Sequence, residues 1–281
     1  MRPTAAVSRA AAVTLIGGPA ARRTLDLAEL WTYRELLYFL VWRDAKVRYR
    51  QTVLGAAWAL VQPAMTMVVF DIFFGRLASM PSDGASYRLF ALTALVPWTY
   101  FATALGAGAQ SLVGQQHLIA KVYFPRLLMP LAAVITPLVD FTIAFTFLVV
   151  MLLAGGVVPG TAVLTLPLYV GLAVLTALTA SIWTAALNVE YRDVRFVLPF
   201  AIQFWLFATP VAYPASLVPE RWRMFYGLNP MATVVEGFRA ALLGTPGADG
   251  MVLPSVAAVL VMLAIGIKYF RRVEGTFADV I

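Results

Sequence analysis

The chain of 281 residues contains no cysteine and a single histidine, His117. The absence of cysteine excludes disulfides, thiol nucleophiles and thiolate metal sites. One histidine supports neither a histidine metal cluster nor a histidine-based catalytic triad. No Gly-x-x-x-x-Gly-Lys-Ser/Thr phosphate loop occurs, so we do not expect this chain to bind and hydrolyse ATP in the usual way. We therefore predict no catalytic residue and no metal site, and we expect a protein that is not an enzyme.

Charge is also scarce, because only 12% of the residues are charged while 61% are hydrophobic. Soluble proteins average about 25% charged residues. Five long stretches are nearly free of charge, and a helix needs about 20 apolar residues to cross a bilayer. The stretch 127–189 is long enough for two crossings joined by a Gly/Pro hinge at 155–160. Continuous apolar runs favour helices over a barrel.

We therefore predict an all-α integral membrane protein with six transmembrane helices in the region 53–281. The spans are expected near 54–76, 89–113, 128–154, 162–187, 196–213 and 251–268. With the N-terminus in the cytoplasm, only Arg76, Arg88, Arg221, Arg223 and Arg239 of the 21 Lys and Arg residues lie outside. This asymmetry predicts that both termini are cytoplasmic. It also explains the net charge of +7 without a nucleic-acid partner.

The N-terminal region divides into two parts. Residues 1–24 are Ala-rich with scattered Arg and are expected to form a disordered cytoplasmic tail, with a signal peptide as the alternative. Residues 25–52 have apolar positions at helical spacing and a basic flank, which predicts an amphipathic helix in the headgroup layer; a solvated basic linker is the alternative. The residues expected to attract lipid phosphates are Arg43, Lys46, Arg48 and Arg50.

The segment 214–250 contains a short predicted helix. Asn229 followed by Pro230 is typical of a helix N-cap with proline at the first position, and Gly244 would end the helix. A helix of about 14 residues is only roughly 21 Å long, too short to cross a bilayer. We therefore expect an extracytoplasmic helical hairpin, re-entrant or lying on the surface, between spans five and six.

Two acids fall inside predicted spans. Asp140 lies within span three, where an isolated charge costs about 2.5–3.5 kcal/mol. A functional role such as a proton relay is one interpretation, and a polar contact with Thr136 or Thr142 is the other. Asp71, near the outer end of span one, is expected to reach the interface or to pair locally.

Polar, proline-punctuated segments recur at the predicted cytoplasmic face. They cover 43–55 (running on to Trp58 and Gln62-Pro63), 117–126 and 188–195. Together with Asn229-Pro230-Met231 and the ending Phe277–Ile281, these segments resemble the membrane subunit of ABC exporters for lipid-linked polysaccharides, a family that moves O-antigen, teichoic acid and capsule chains. The resemblance runs from about residue 25 to residue 281.

The resemblance implies a bacterial inner-membrane permease that forms a homodimer and docks on two copies of a separate ATPase subunit, which binds ATP and Mg²⁺; this chain itself would hold no cofactor. The substrate would be an undecaprenyl-pyrophosphate-linked glycan, with O-antigen preferred, passing through a channel at the homodimer interface. The residues expected to couple to the ATPase are His117, Leu118, Lys121, Tyr123, Phe124, Arg126, Tyr191, Arg192 and Asp193. The aromatic residues expected to line the channel are Trp58, Phe204, Trp205, Phe207 and Tyr213. The extracytoplasmic gate would comprise Asn229, Pro230, Met231, Glu236 and Arg239.

Three alternatives stay open at the level of sequence. The nearest is an ABC exporter for a drug or another small molecule. A membrane-bound lipid or sugar transferase would need converging acids or histidine, and Asp71, His117 and Asp140 are widely scattered. An ion-coupled secondary transporter usually has two related halves, and no internal repeat is visible here.

Overall fold

The computed structural model describes residues 27–50, 55–245, 247 and 250–276. The predicted N-terminal tail and the ending 277–281 lie outside the described residues. Within them the chain is helical, with no strand. The α-helices are α1 (Leu27–Thr32), α2 (Arg34–Arg50), α3 (Trp58–Phe70), α4 (Tyr87–Gln110), α5 (Gln116–Lys121), α6 (Leu128–Ile135), α7 (Leu138–Ala154), α8 (Leu166–Glu190), α9 (Val194–Ala208), α10 (Glu220–Tyr226), α11 (Pro230–Leu243) and α12 (Val252–Val273).

Five helical segments are long and apolar enough to cross a membrane. They are Trp58–Leu77, in which a π-helix (Asp71–Leu77) continues α3, Tyr87–Gln110, Leu128–Ala154, Thr161–Glu190 and Val252–Val273. These segments coincide with five of the six predicted spans. The remaining predicted span, span five at 196–213, corresponds to α9, an apolar helix of only 15 residues.

Helix α4 forms the centre of the bundle. It packs against α3, α6, α7, α8, α9 and α11, and side chains such as Phe90 and Phe101 are completely buried. Its contact with α8 depends on small residues, because a Cβ at Gly108 would lie 2.2 Å from the Ser181 hydroxyl. Apolar burial does not drive helices together inside lipid, so this close approach gives the pair its dispersion contacts.

Span three is broken where the sequence places Thr136-Pro137. Helix α6 ends at Ile135 and α7 begins at Leu138. Proline cannot donate the next helical hydrogen bond. The break places Asp140 in the first turn of α7.

Side-chain contacts define two ends of the bundle. At one end, which we call the basic end, a buried cluster joins α2, the 112–128 connection, α8 and the last turns of α12; it includes Leu40, Leu112, Phe124, Val189 and Phe270. At the opposite end, the far end, Tyr87 at the start of α4 donates to the Ala212 carbonyl (2.7 Å). The short helix α9 leaves the basic end after α8 and reaches the far end before residue 212.

Helix α9 is almost unburied within the chain. Leu198 is its one buried residue, while Phe196, Phe200, Phe204 and Phe207 are 54–73% exposed. The outer face of α3 and of the π-helix that continues it is similarly uncovered: Trp58, Met65, Ile72 and Phe73 are 43–60% exposed. Both faces are apolar and rich in aromatic rings.

Candidate functional site

The predicted interface helix is present as α1 and α2, with a break at Tyr33. Large rings point away from the bundle, since Trp31, Tyr38, Phe39 and Trp42 are 50–70% exposed. Leu40 is buried on the opposite side, in the cluster at the basic end. The helix therefore has an exposed aromatic face and a second face that packs on the protein.

The four basic residues predicted to meet lipid head groups have different surroundings. Arg43 pairs with its neighbour Asp44 at 2.8 Å. The Lys46 ammonium lies 4.4 Å from the centre of the Trp42 ring, and the Arg50 side chain is exposed. Arg48 is different, because its guanidinium bonds to the carboxylate of Asp140, 92 residues away in the chain.

Asp140 is held on both carboxylate oxygens. One accepts from Arg48 and the other from the Tyr49 hydroxyl. Burial, followed by the hydrogen bond to Asp140, raises the pKa of Tyr49 to about 12, so this phenol stays a donor at physiological pH. The expected contact of Asp140 with Thr136 or Thr142 is wrong: both hydroxyls donate to carbonyls of their own turn, Ala132 and Leu138. A threonine in a helix satisfies itself in this way, whereas a carboxylate inside a span needs a cation.

Arg48 lies between two cavities. One, about 480 Å³, lies between α2, the end of α4 and α6, and we call it the basic cleft. The other, about 300 Å³, lies between α3, α4 and α7, and we call it the inner cavity; its polar lining includes Gln62, Thr99 and Thr103. Arg48 contributes to the walls of both.

The segment 115–126, predicted to dock on an ATPase, contains α5 and lies at the basic end. His117, Lys121 and Tyr123 are exposed, and Tyr123 reaches 69%. Leu118 packs against the basic-end cluster and is half-buried. Phe124 is 4% exposed and belongs to the same cluster, so its ring lies inside the protomer.

Arg126 also makes contacts within the chain. Its guanidinium donates to the Glu274 carbonyl, and its backbone N–H donates to a Glu274 carboxylate oxygen (3.4 Å). These bonds join the end of the 115–126 segment to the turn that follows α12. Of the residues of this segment that the sequence predicts to contact an ATPase, His117, Lys121 and Tyr123 are the exposed ones.

The second predicted coupling segment lies between α8 and α9. Tyr191, Arg192 and Asp193 are all exposed, and no ion pair joins the last two. Arg192 and Arg195 line a polar pocket of about 300 Å³ beside the end of α4. The two predicted coupling segments thus open on the same end of the bundle.

The five aromatic residues predicted to line a channel fall into two groups. Trp58, Phe204 and Phe207 are 53–68% exposed on the uncovered faces of α3 and α9. Trp205 instead packs edge-on against Phe101 (4.9 Å between centroids) and donates to Asn229. Tyr213 is half-buried, and its hydroxyl contacts the Phe207 carbonyl and the Tyr226 hydroxyl, each at 2.9 Å.

At the far end, Asn229 begins α11 as the sequence predicts. Its Oδ1 accepts from the Met231 N–H (3.2 Å) and from the Trp205 indole (3.0 Å). Its Nδ2 donates to the Ala208 carbonyl and the Thr209 hydroxyl, each at 3.1 Å. Pro230 is the first helical residue and Gly244 ends the helix at φ 70°, a left-handed conformation that glycine adopts without strain. Asn229 is thus both a helix cap and the link between α11 and the end of α9.

Helix α11 carries a buried ion pair, between Glu236 and Arg239 (2.9 Å). Arg239 is completely buried, and it donates to the carbonyls of Pro210 (2.6 Å) and Val211 (2.8 Å). Its guanidinium carbon lies 3.4 Å from the centre of the Phe90 ring, and Glu236 accepts the Ala215 N–H (3.2 Å). Further donations reach the carbonyls of Tyr213 and Phe90. The pair therefore holds the loop after α9 against α11 and α4.

The acid near the outer end of span one pairs locally, as expected. Asp71 accepts from Arg88 at 2.9 Å and lies 3.4 Å from Arg76.

In the described residues no group of His, Cys, Asp or Glu could hold a metal ion. Sequence reasoning missed Tyr49 as a partner of Asp140. A carboxylate within a span needs a cation, but no local pattern indicates that its partners lie in the run 43–50, 92 positions away for Arg48.

These features define an integral membrane protein built from a bundle of apolar helices, with polar and basic segments gathered at one end and the start of α11 at the other. The family model for ABC-2 type transporters matches residues 35–243. The chain therefore belongs to the ABC-2 type transporter family, as a membrane permease subunit and not an enzyme.

Individual relatives agree with this assignment. The chain is 32% identical over 251 residues to the O-antigen export system permease protein RfbA of Myxococcus xanthus, covering 88% of this chain and 96% of that protein. It is 25% identical to a protein of the same name from Klebsiella pneumoniae, covering 88% and 95%. It is 22% identical to the polysialic acid transport protein KpsM of Escherichia coli, covering 83% and 91%. The match to the first relative spans nearly its whole length.

Proposed function

We propose that this chain is the permease subunit of an ABC exporter that moves a lipid-linked polysaccharide, O-antigen in preference to other polymers, across the bacterial inner membrane. The relatives named for O-antigen export match it over most of their length, which supports this substrate class. The observation that carries the proposal is the uncovered aromatic face of α9. A 15-residue helix with one buried residue leaves most of its apolar surface without the packing that membrane helices normally have.

A second copy of the chain is the proposed partner of α9. Two protomers facing each other through α3 and α9 would bring Trp58, Phe204 and Phe207 to a shared central surface. Sugar rings have apolar C–H faces beside their hydroxyls, so aromatic rings offer a contact surface that does not demand one sequence of sugars. In this proposal Trp205 and Tyr213 stand behind that surface and hold α9 in place through their bonds to Asn229 and Tyr226.

Energy would come from a separate ATPase subunit, two copies per homodimer, which would bind ATP and Mg²⁺. Family membership supports such a partner, because this chain contains no phosphate loop of its own. Its docking surface would be the exposed side chains of the basic end, namely His117, Lys121 and Tyr123 with the 191–193 turn. Phe124 and Arg126 would transmit movement, since they connect this surface to the basic-end cluster and to the end of α12.

The basic end would face the cytoplasm, with both termini there. Helix α9 runs from the basic end to the far end. Although it has only 15 residues, it would therefore be span five and bring the number of crossings to six. The hairpin of α10 and α11 would then be extracytoplasmic and would close the channel, held by Asn229 and by the Glu236–Arg239 pair. Arg43, Lys46 and Arg50 would meet phosphates at the cytoplasmic headgroup layer.

Complementation in a strain deleted for this chain tests the proposal. Surface polysaccharide should return when the chain is expressed with its ATPase subunit, and the two should co-purify in a two-plus-two complex. An ATPase variant unable to hydrolyse ATP is the control and should restore nothing. Unchanged surface glycans in the deletion strain, with altered resistance to a drug, would instead indicate a small-molecule exporter.

A further inference from the structure

The basic cleft has the chemistry of an amphiphile site. From α2 it receives Leu40, Arg43, Asp44, Val47 and Arg48, which share one helix face by their i, i+3, i+4, i+7, i+8 spacing. This face is charged, although it points toward the bundle.

The opposite wall of the cleft is lined by small, polar and apolar residues. The end of α4 contributes Gln110, the connection after it contributes Ser111 and Gln115, and α6 contributes Met129 and Ala132. An anionic group would find guanidinium donors on the α2 wall and amide donors on the opposite wall, while a hydrocarbon chain could lie against the apolar residues. The cleft therefore suits a phosphate-bearing lipid head group.

In this structure Arg48 already forms an ion pair with Asp140, a carboxylate inside a membrane span. Asp140 lies on an apolar helix, and both members of the pair keep partial exposure, 32% for the Arg48 side chain and 24% for Asp140. Arg48 lines both cavities and Asp140 lines the inner cavity, so Arg48 can exchange partners without first passing through dry protein. A phosphate is also a strong, bidentate acceptor for a guanidinium.

We propose that Arg48 exchanges the Asp140 carboxylate for the phosphate of the lipid-linked substrate, so that Asp140 occupies the anion site while it is empty. This rests on the proposed function. When Arg48 turns to the phosphate, Tyr49 keeps its hydrogen bond to Asp140, and the 300 Å³ inner cavity on that side can admit water to the carboxylate. The exchange also removes the ionic tie between α2 and span three. Substrate loading would thus loosen the interface helix.

Binding of undecaprenyl pyrophosphate to the permease–ATPase complex in phosphatidylcholine nanodiscs tests the exchange. Asp140→Asn removes the competing charge with little change of shape, and we expect binding about tenfold tighter than wild type. Arg48→Gln should bind about tenfold more weakly, and the double variant should resemble Arg48→Gln. Asp71→Asn is the matched control, because it neutralises another arginine-paired acid of a span at the far end, and it should bind as wild type does.

A second measurement does not depend on how the Asp140 variant folds. Because the chain has no cysteine, Ser111→Cys places a single thiol of this subunit in the cleft wall. Undecaprenyl pyrophosphate should slow its reaction with a water-soluble maleimide, and adding Arg48→Gln should abolish that protection. Glu35→Cys, exposed at the start of α2, should react equally with and without the lipid.

The outcomes separate this inference from the proposed function. If the wild-type chain restores export but Asp140→Asn binds no tighter and Ser111→Cys is not protected, the exchange is wrong and the exporter assignment stands. If phosphatidylglycerol protects Ser111→Cys as well as undecaprenyl pyrophosphate does, the site belongs to bilayer lipids, which also overturns the proposal. If the wild-type chain restores no glycan export, it is the function that fails.

Discussion

Replacing Arg239 with methionine should strongly destabilise the protein, because the guanidinium is completely buried and satisfies several groups at once. Methionine keeps much of the length but provides no donor. Glu236 would then be a buried carboxylate without a cation, and removing one partner of a buried pair costs about 3–5 kcal/mol. The carbonyls of Pro210 and Val211 would also lose their donor. We expect a loss of at least about 3 kcal/mol in the free energy of unfolding.

The assay is equilibrium unfolding by SDS in mixed micelles, followed by tryptophan fluorescence. A double-mutant cycle with Glu236→Leu isolates the pair, since removing both charges leaves neither one uncompensated. The double variant should be more stable than the sum of the single losses predicts, by about 2 kcal/mol. Arg88→Met is the control, because this arginine is 53% exposed at the same end and pairs with Asp71; it should cost at most about 1 kcal/mol. A loss below about 1 kcal/mol for Arg239→Met, or additive single losses, would refute the reasoning.

Four further substitutions test other parts of the structure. Gly108→Val should separate α4 from α8 and abolish accumulation of folded protein, measured by size-exclusion chromatography, whereas a normal elution profile would contradict the packing described. Asn229→Ala should cost about 1 kcal/mol as a lost helix cap and more through its ties to α9, measured by the same SDS titration; a loss below that of the cap alone would show those ties to be unimportant. Lys121→Glu should weaken co-purification with the ATPase and leave stability unchanged, while Arg126→Glu should lower stability too, because it places a carboxylate beside Glu274; equal effects of the two would contradict this distinction.

Much of the architecture is predictable because long apolar stretches have few alternatives in a membrane. The ends of α11 at Asn229 and Gly244 are also predictable, because helix capping is a local property of the sequence. Span five was harder to delimit. Its apolar composition continues to Pro219, but the helix ends at Ala208, because the following residues turn so that their carbonyls meet Arg239.

Contacts between distant segments could not be read from local pattern. Asp140 was expected to make a polar contact with Thr136 or Thr142, yet its partners, Arg48 and Tyr49, come from α2, 92 and 91 positions away. The same holds for Arg126, which resembles a surface cation in the sequence but bonds to Glu274. Trp205 was predicted to line a channel because it lies in an aromatic-rich span. The bond of its indole N–H to Asn229 could not be predicted from that composition. In each case the chain's tertiary packing, which local periodicity does not encode, decides the partner.

A direct measurement of ATP-driven translocation tests the central claim, that this chain is the permease of a polysaccharide exporter. The purified permease–ATPase complex would be reconstituted in proteoliposomes with the lipid-linked glycan in the outer leaflet beside the ATPase, and a glycosidase would be enclosed in the lumen. The account predicts that the glycan is cleaved only when ATP and Mg²⁺ are added, and not when the ATPase cannot hydrolyse ATP. An intact glycan, in a complex that is folded and hydrolyses ATP, would contradict it.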